Sequence, residues 1–262
     1  MTMVLVTSGP GDKAGQVEAL RRQVARIERG ARDTATPVLP FGVAGIDRHL
    51  PGGGLMRGAL HEVSGQGPDA EDAAAPAAFV VGLAARLDPA KPVLWCQMGE
   101  GDLYGPGLAA CGLAPSRLLI ARARNAADLL WAMEEGLRTR SLAAAVGEIA
   151  DLPGPASRRL QLAAESSGVT AFALRRFRLP DAASRAPNAS VTRWRVSPAP
   201  SAPAAGEPGL GRPRWRLELW RARGAAPAEW IVEACDATGH VALPAALGDG
   251  PARRERLRIV GA

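Results

Sequence analysis

Lysine is nearly absent from this chain. Only Lys13 and Lys91 occur among 32 basic residues, so arginine carries almost all of the positive charge. Arginine presents a planar fork of donors that suits phosphates and carboxylates. Arginine in place of lysine, with 30 glycines and 22 prolines, is equally the composition of a chain from a GC-rich genome. The net charge of +6 and the isoelectric point near 10.2 therefore permit nucleic-acid binding without requiring it. Cysteine is scarce as well. Cys96, Cys111 and Cys235 have neither pairing nor metal-ligand spacing, which argues against a disulfide scaffold and predicts buried thiols in a reducing cytoplasm. The three histidines, His49, His61 and His240, are scattered, so no metal site and no cofactor is expected, and no serine sits in a G-x-S-x-G elbow. No apolar run is long enough to span a membrane, and residues 1–7 lack the basic start and apolar centre of a signal peptide. The expectation is a cytoplasmic protein with no membrane partner. Its 262 residues, 47% hydrophobic, suit one large domain or a core with a small appendage.

Residues 58–87 have the outline of a nucleotide-binding strand, loop and helix. Residues 59–64 read as a short strand, residues 65–68 (GQGP) as a tight loop, and an Ala-rich helix follows to about Leu87. A working phosphate loop, G-x-x-x-x-G-K-[ST], needs backbone N–H groups around the phosphates, a lysine for the β/γ-phosphates and a hydroxyl for Mg²⁺. Counting from Gly65, the last three places fall on Ala70, Glu71 and Asp72. Two like charges ~4 Å apart at an effective dielectric of about 20 cost on the order of 4 kcal/mol. Asp69, Glu71 and Asp72 would thus repel a triphosphate, and no ATPase activity is expected.

Taken in order, residues 1–11 read as a tail. Asp12 can cap a helix running to about Arg29, whose Val17, Leu20, Val24 and Ile27 form a narrow apolar stripe. That stripe either packs on its own domain or docks on a partner. Residues 34–40 read as an extended connector, and Gly52–Gly53–Gly54 as a turn before the first strand rather than a phosphate nest. Strands are predicted over residues 92–97, 117–121, 142–149 and 169–174. Between them lie helices over 103–112, 126–138 (capped by Asn125, with Leu129, Leu130, Met133 and Leu137 inward) and 157–166. Alternation at this spacing means βαβ units and a largely parallel sheet, an α/β fold. Residues 191–196 are a further strand, 197–213 a Pro/Gly/Ala-rich linker, and 214–223 with 229–234 a β-hairpin before a basic tail. The expected division is a tail and helix over 1–33, a core over 34–196, the linker over 197–213, and the hairpin and tail over 214–262. Trp215 and Trp220 cannot share a strand face. One is either exposed as a partner anchor or packed under the linker.

The stretch 45–65, GIDRHLPGGGLMRGALHEVSG, resembles the approach to the core of RecA-type recombinases. Residues 99–113 (GEGDLYGPGLAACGL) match the segment that carries the catalytic glutamate there, which places Glu100 at that position. Residues 142–149 match the strand ending in the Walker-B aspartate, a place taken by Gly147 with Glu148 beside it. Residues 169–176 (VTAFALRR) match the strand leading into a DNA-binding loop, so Arg175, Arg176 and Arg178 stand where DNA contact would begin; the plain alternative is a solvated strand end. GDLYGPGLAACGL, ESSGVTAFALRR, TRWRV and RWRLELWRAR…EW are most similar to the ImuA family, RecA-like accessory proteins of bacterial damage-tolerance operons, over roughly residues 38–235.

The resemblance implies a RecA-like sheet flanked by helices, with an N-terminal helix and a C-terminal antiparallel β extension. It further implies a non-catalytic accessory or scaffold role in error-prone translesion DNA synthesis within the SOS response. The partners implied are an ImuB-like Y-family polymerase homologue, then RecA, an error-prone C-family DNA polymerase and DNA, with nucleoid association when engaged. Two other readings stay open. One is a SulA-like cell-division inhibitor binding FtsZ, which shares a RecA-derived core without the phosphate loop. The other is a recombination ATPase with an unorthodox loop.

Overall fold

The computed structural model describes residues 37–67, 73–99, 103–176, 186–201 and 211–244. The predicted N-terminal helix, with Val17, Leu20, Val24 and Ile27, lies outside them. Short strands β1 (Val38–Leu39) and β2 (Leu55–Met56) pair as an antiparallel ribbon around the helical turn α1 (Ala44–Asp47). The main sheet comprises β3 (Leu60–Ser64), β4 (Val93–Met98), β5 (Leu118–Ala123), β6 (Ala144–Ile149), β7 (Thr170–Arg175), β8 (Thr192–Ala199), β9 (Arg214–Ala222) and β10 (Ala228–Glu233). Their order is β10-β9-β8-β3-β7-β6-β4-β5. The six strands from β8 to β5 run parallel, and β9 and β10 add on antiparallel. The C-terminal hairpin therefore extends the core sheet rather than forming a separate unit.

Two apolar layers sandwich the sheet. On one face lies α2 (Ala74–Arg86), apolar nearly all round and accordingly buried through Phe79, Val80, Val81, Leu83 and Ala84. Phe41, Phe79 and Trp194 meet there with ring centroids 5.5–6.1 Å apart, and Trp215 meets Phe79 edge-on at 6.4 Å. Beside α2 sits α3 (Gly105–Ala110). On the opposite face lie α4 (Ala126–Arg138) and α5 (Gly154–Ser167). Asn125 caps α4 as expected, its side chain accepting from the Asp128 N–H at 2.9 Å. Leu129, Met133 and Leu137 are buried, and Leu130 only partly.

Boundaries moved where local rules competed. Helix α3 is two residues shorter than predicted at each end, and α5 starts three residues earlier, because Pro155 fits a first helical turn that needs no N–H. Strand β8 runs three residues into the expected linker, where Pro198 stands opposite Trp215.

His61 is a structural histidine, as its place in a strand implies. Its Nε2–H donates to the Met56 carbonyl at 2.7 Å. Its Nδ1 accepts from the Thr192 hydroxyl at 2.8 Å, which itself accepts from the Trp194 indole N–H at 2.9 Å. Complete burial lowers the imidazole pKa from 6.5 to about 4. Because the folded state takes up this proton less readily than the unfolded chain, stability is fully present above pH 6.5 and falls as pH drops from there towards 4. Melting temperatures across that window should fall more steeply for the natural protein than for a His61→Gln variant; equal slopes would count against the assignment.

Candidate functional site

In open α/β sheets, ligands bind beyond the C-terminal ends of the strands, where strand order switches. Here the chain leaves β3 through α2 and re-enters the sheet at β4, with β7 and β6 lying between. Gly65 follows β3 half-buried. Ala70, Glu71 and Asp72 fall outside the described residues, as do Glu100 and Arg178.

An ion pair stands between the strand ends and the start of α2. Arg176, just past β7, donates from Nε to Glu148 Oε2 at 2.9 Å and from Nη1 to the Ala73 carbonyl at 3.0 Å. Ala73 is the N-cap of α2. The other Glu148 oxygen accepts from the Trp95 indole N–H at 2.8 Å. Strands β4, β6 and β7 are thus tied to the end of α2 at which a phosphate would sit in a nucleotide-binding protein. A helix N-terminus favours anions, so a guanidinium beside it is tolerable only with compensation, which Glu148 and the Ala73 carbonyl supply. Both Glu148 oxygens already have partners, and the carboxylate is poorly placed to act as a general base.

The Walker-B assignment is corrected by this geometry. A β-carbon on Gly147 would lie 2.7 Å from Met133 Sδ and 3.3 Å from Leu129 Cδ2, so Gly147 is turned towards α4. Glu148 points to the α2 side, where an acid of that kind would have to stand. The fixed alternation of side chains makes the one-residue difference decisive.

The second cluster was not anticipated. Glu62 on β3 is 2% exposed and lies between Arg175 on β7 and Arg193 on β8. Its Oε1 accepts from Arg175 Nη1 at 3.2 Å and Arg193 Nη2 at 2.9 Å, and its Oε2 accepts from the Asn188 amide. Arg175 also donates to the Ala150 carbonyl at 2.9 Å, and Arg193 to the Ala186 carbonyl at 3.0 Å. The expected DNA contact through Arg175 is corrected accordingly: a 2%-exposed guanidinium bonded within the sheet offers nothing to a phosphate backbone. Arg176 is likewise engaged internally.

The two tryptophans separate by face, as alternation requires. Trp215 is buried against Phe79, so it is core and not a partner anchor. Trp220 is the extra residue of a β-bulge, since Arg193 pairs with Arg221 and Trp194 with Leu219. The Arg193 guanidinium lies 4.4 Å from the Trp220 ring centre and that of Arg195 5.5 Å, on the face away from α2. The sequence did carry one signal for this cluster. Glu62, Arg175 and Arg193 are charges inside or at the end of predicted strands (LHEVS, ALRR, TRWRV), and a charge at an inward strand position demands a partner.

Among the described residues no group of three or more His, Cys, Asp or Glu could hold a metal, and no helix is long and apolar enough to cross a membrane.

No protein-family model matches the chain. The fold is similar to a solved crystal structure of the RadB recombinase, with a TM-score of 0.54 at 16% identity, covering 79% of this chain and 99% of that one. The likeness in fold agrees with the RecA-like sheet expected from the sequence. The chain is also 45% identical over 221 residues to Protein ImuA of two Caulobacter vibrioides strains, NA1000/CB15N and ATCC 19089/CIP 103742/CB 15. Each match covers 82% of this chain and 89% of the relative. This chain belongs to the ImuA family.

Proposed function

We propose that this protein is a non-catalytic, RecA-like accessory of error-prone translesion DNA synthesis in the response to DNA damage, working by binding other macromolecules. The observation that carries the reading is the Arg176–Glu148 pair held to Ala73 at the start of α2. A triphosphate entering there would have to break that ion pair and two further hydrogen bonds, and would meet a loop with acid in place of the phosphate-gripping lysine. Family membership supplies the setting. The partners in this reading are an ImuB-like Y-family polymerase homologue, with RecA, an error-prone C-family polymerase and DNA as further contacts, and association with the nucleoid follows from that engagement.

Truncating residues 214–262 to find the binding surface would remove two strands of the core sheet, so the test uses the intact chain. Deleting the gene should abolish most damage-induced mutation. Returning either the natural gene or a Glu100→Gln variant should restore it equally, and each product should capture the ImuB-like protein in a pull-down. Unchanged induced mutation in the deletion strain would refute the assigned role. A normally accumulating Glu100→Gln protein that fails to complement would refute its non-catalytic character.

A further inference from the structure

We propose that Cys111 and Cys235 form an oxidation site, a thiol pair that a peroxide converts into an intramolecular disulfide joining the end of α3 to the segment after β10. The inference does not rest on the proposed function.

The backbone around the pair is held close by three glycines. A β-carbon on Gly82 of α2 would lie 3.0 Å from Cys235 Cβ and 3.2 Å from its Sγ. One on Gly112 would lie 2.8 Å from the Gly239 nitrogen, and one on Gly239 2.6 Å from the Gly82 carbonyl oxygen. Gly112 and Gly239 also have φ of +89° and +77°, which few other residues adopt. The segment that carries Cys235 is thus docked against α2 and against the residue following Cys111. It is also internally braced. Asp236 Oδ1 accepts from the Thr238 N–H at 2.8 Å, the Thr238 hydroxyl at 2.6 Å and the His240 N–H at 3.2 Å, and Glu233 N–H donates to the Ala242 carbonyl at 2.7 Å.

Both thiols are half-buried and pack on the same core cluster, and each is the largest influence on the other's titration; the Cys235 thiol also donates to the Ala78 carbonyl at 3.5 Å. The neighbouring Cys235 thiol holds Cys111 down at about 7, whereas Cys235 is pushed up by Cys111 and by burial. The Cys235 proton is engaged with the Ala78 carbonyl, which leaves Cys111, at the end of α3, as the thiol that ionises and attacks. Its sulfur attacks one peroxide oxygen, the O–O bond breaks, and the departing hydroxide takes up the proton released from the thiol, giving a sulfenic acid and water. The Cys235 sulfur then attacks that sulfenic sulfur, the S–S bond forms, and the hydroxyl leaves as a second water with the Cys235 proton. Cys96 is the internal control. It lies buried in the cluster on the other face of the sheet, and burial raises its thiol to about 12.

The test treats the reduced full chain with hydrogen peroxide, alkylates the remaining thiols and maps the peptides by mass spectrometry. The expected result is a Cys111–Cys235 link with Cys96 still alkylated. A rise in melting temperature that a dithiol reductant reverses should accompany it, since the bond closes a long loop of the unfolded chain. Cys111→Ser and Cys235→Ser should each abolish both signals, and Cys96→Ser should leave the link intact. A link through Cys96, a link between molecules, or over-oxidised Cys111 beside an alkylated Cys235 would overturn the proposal. The mapping on the natural chain decides this even if a variant folds poorly.

Discussion

Replacing Glu62 by alanine is expected to lower the stability of the protein by about 3–5 kcal/mol, the usual cost of removing one member of a buried ion cluster. Domains of this kind are stable by only about 5–15 kcal/mol, so the variant should sit near the edge of folding. The loss follows from what remains behind. Arg175 and Arg193 would keep their charges at 2% side-chain exposure while losing the carboxylate they share, and the Asn188 amide would lose its acceptor. Replacing all three charged residues by apolar side chains of similar volume should recover much of the loss, because the desolvation penalty disappears with the charges. Urea denaturation followed by tryptophan fluorescence measures both. A Glu62→Ala loss below about 1 kcal/mol, the range of solvated surface pairs, would mean that the cluster is not buried as described.

Trp194→Ala should cost about 3–5 kcal/mol by emptying an aromatic site in the core. Trp194 is completely buried, with ring centroids 5.5 Å from Phe41, 5.9 Å from Phe79 and 6.1 Å from Trp230. It therefore joins the segment before α1, helix α2 and the terminal strand β10. Its indole N–H also leads the hydrogen-bond chain through Thr192 to His61. The variant should still unfold in one cooperative step at a lower denaturant midpoint. Two separated transitions would instead indicate that strands β9 and β10 fold as an independent appendage.

Most of the architecture was legible because the two periodicities seldom conflicted. Runs such as PVLWCQ and VTAFAL, short, apolar and bounded by turn residues, read as buried strands, and Asn125 marked its helix start through a side chain that accepts from Asp128 N–H. The resemblance in fold was carried by residues 45–65, 99–113, 142–149 and 169–176, that to the family by GDLYGPGLAACGL, ESSGVTAFALRR, TRWRV and RWRLELWRAR…EW, and the identity to ImuA agrees with it. What escaped was pairing between strands distant in sequence. Glu62 and Arg193 are 131 residues apart, and nothing local states that β8 lies beside β3. Without that order, Arg175 reads as a cation at a strand end when it is an internal counter-charge. Gly147 was misplaced for a smaller reason, a single-residue uncertainty in which strand position faces which helix.

A RecA-type fold persists here, and in the proposed reading its phosphate place is filled from within by Arg176 and Glu148. Titration of the purified full-length protein with Mg²⁺-ATP in a calorimeter tests it most directly. The predicted result is no saturable heat up to about 1 mM nucleotide, an affinity no better than roughly −4 kcal/mol. Saturable binding at micromolar concentrations, lost on substitution within residues 65–72, would contradict it.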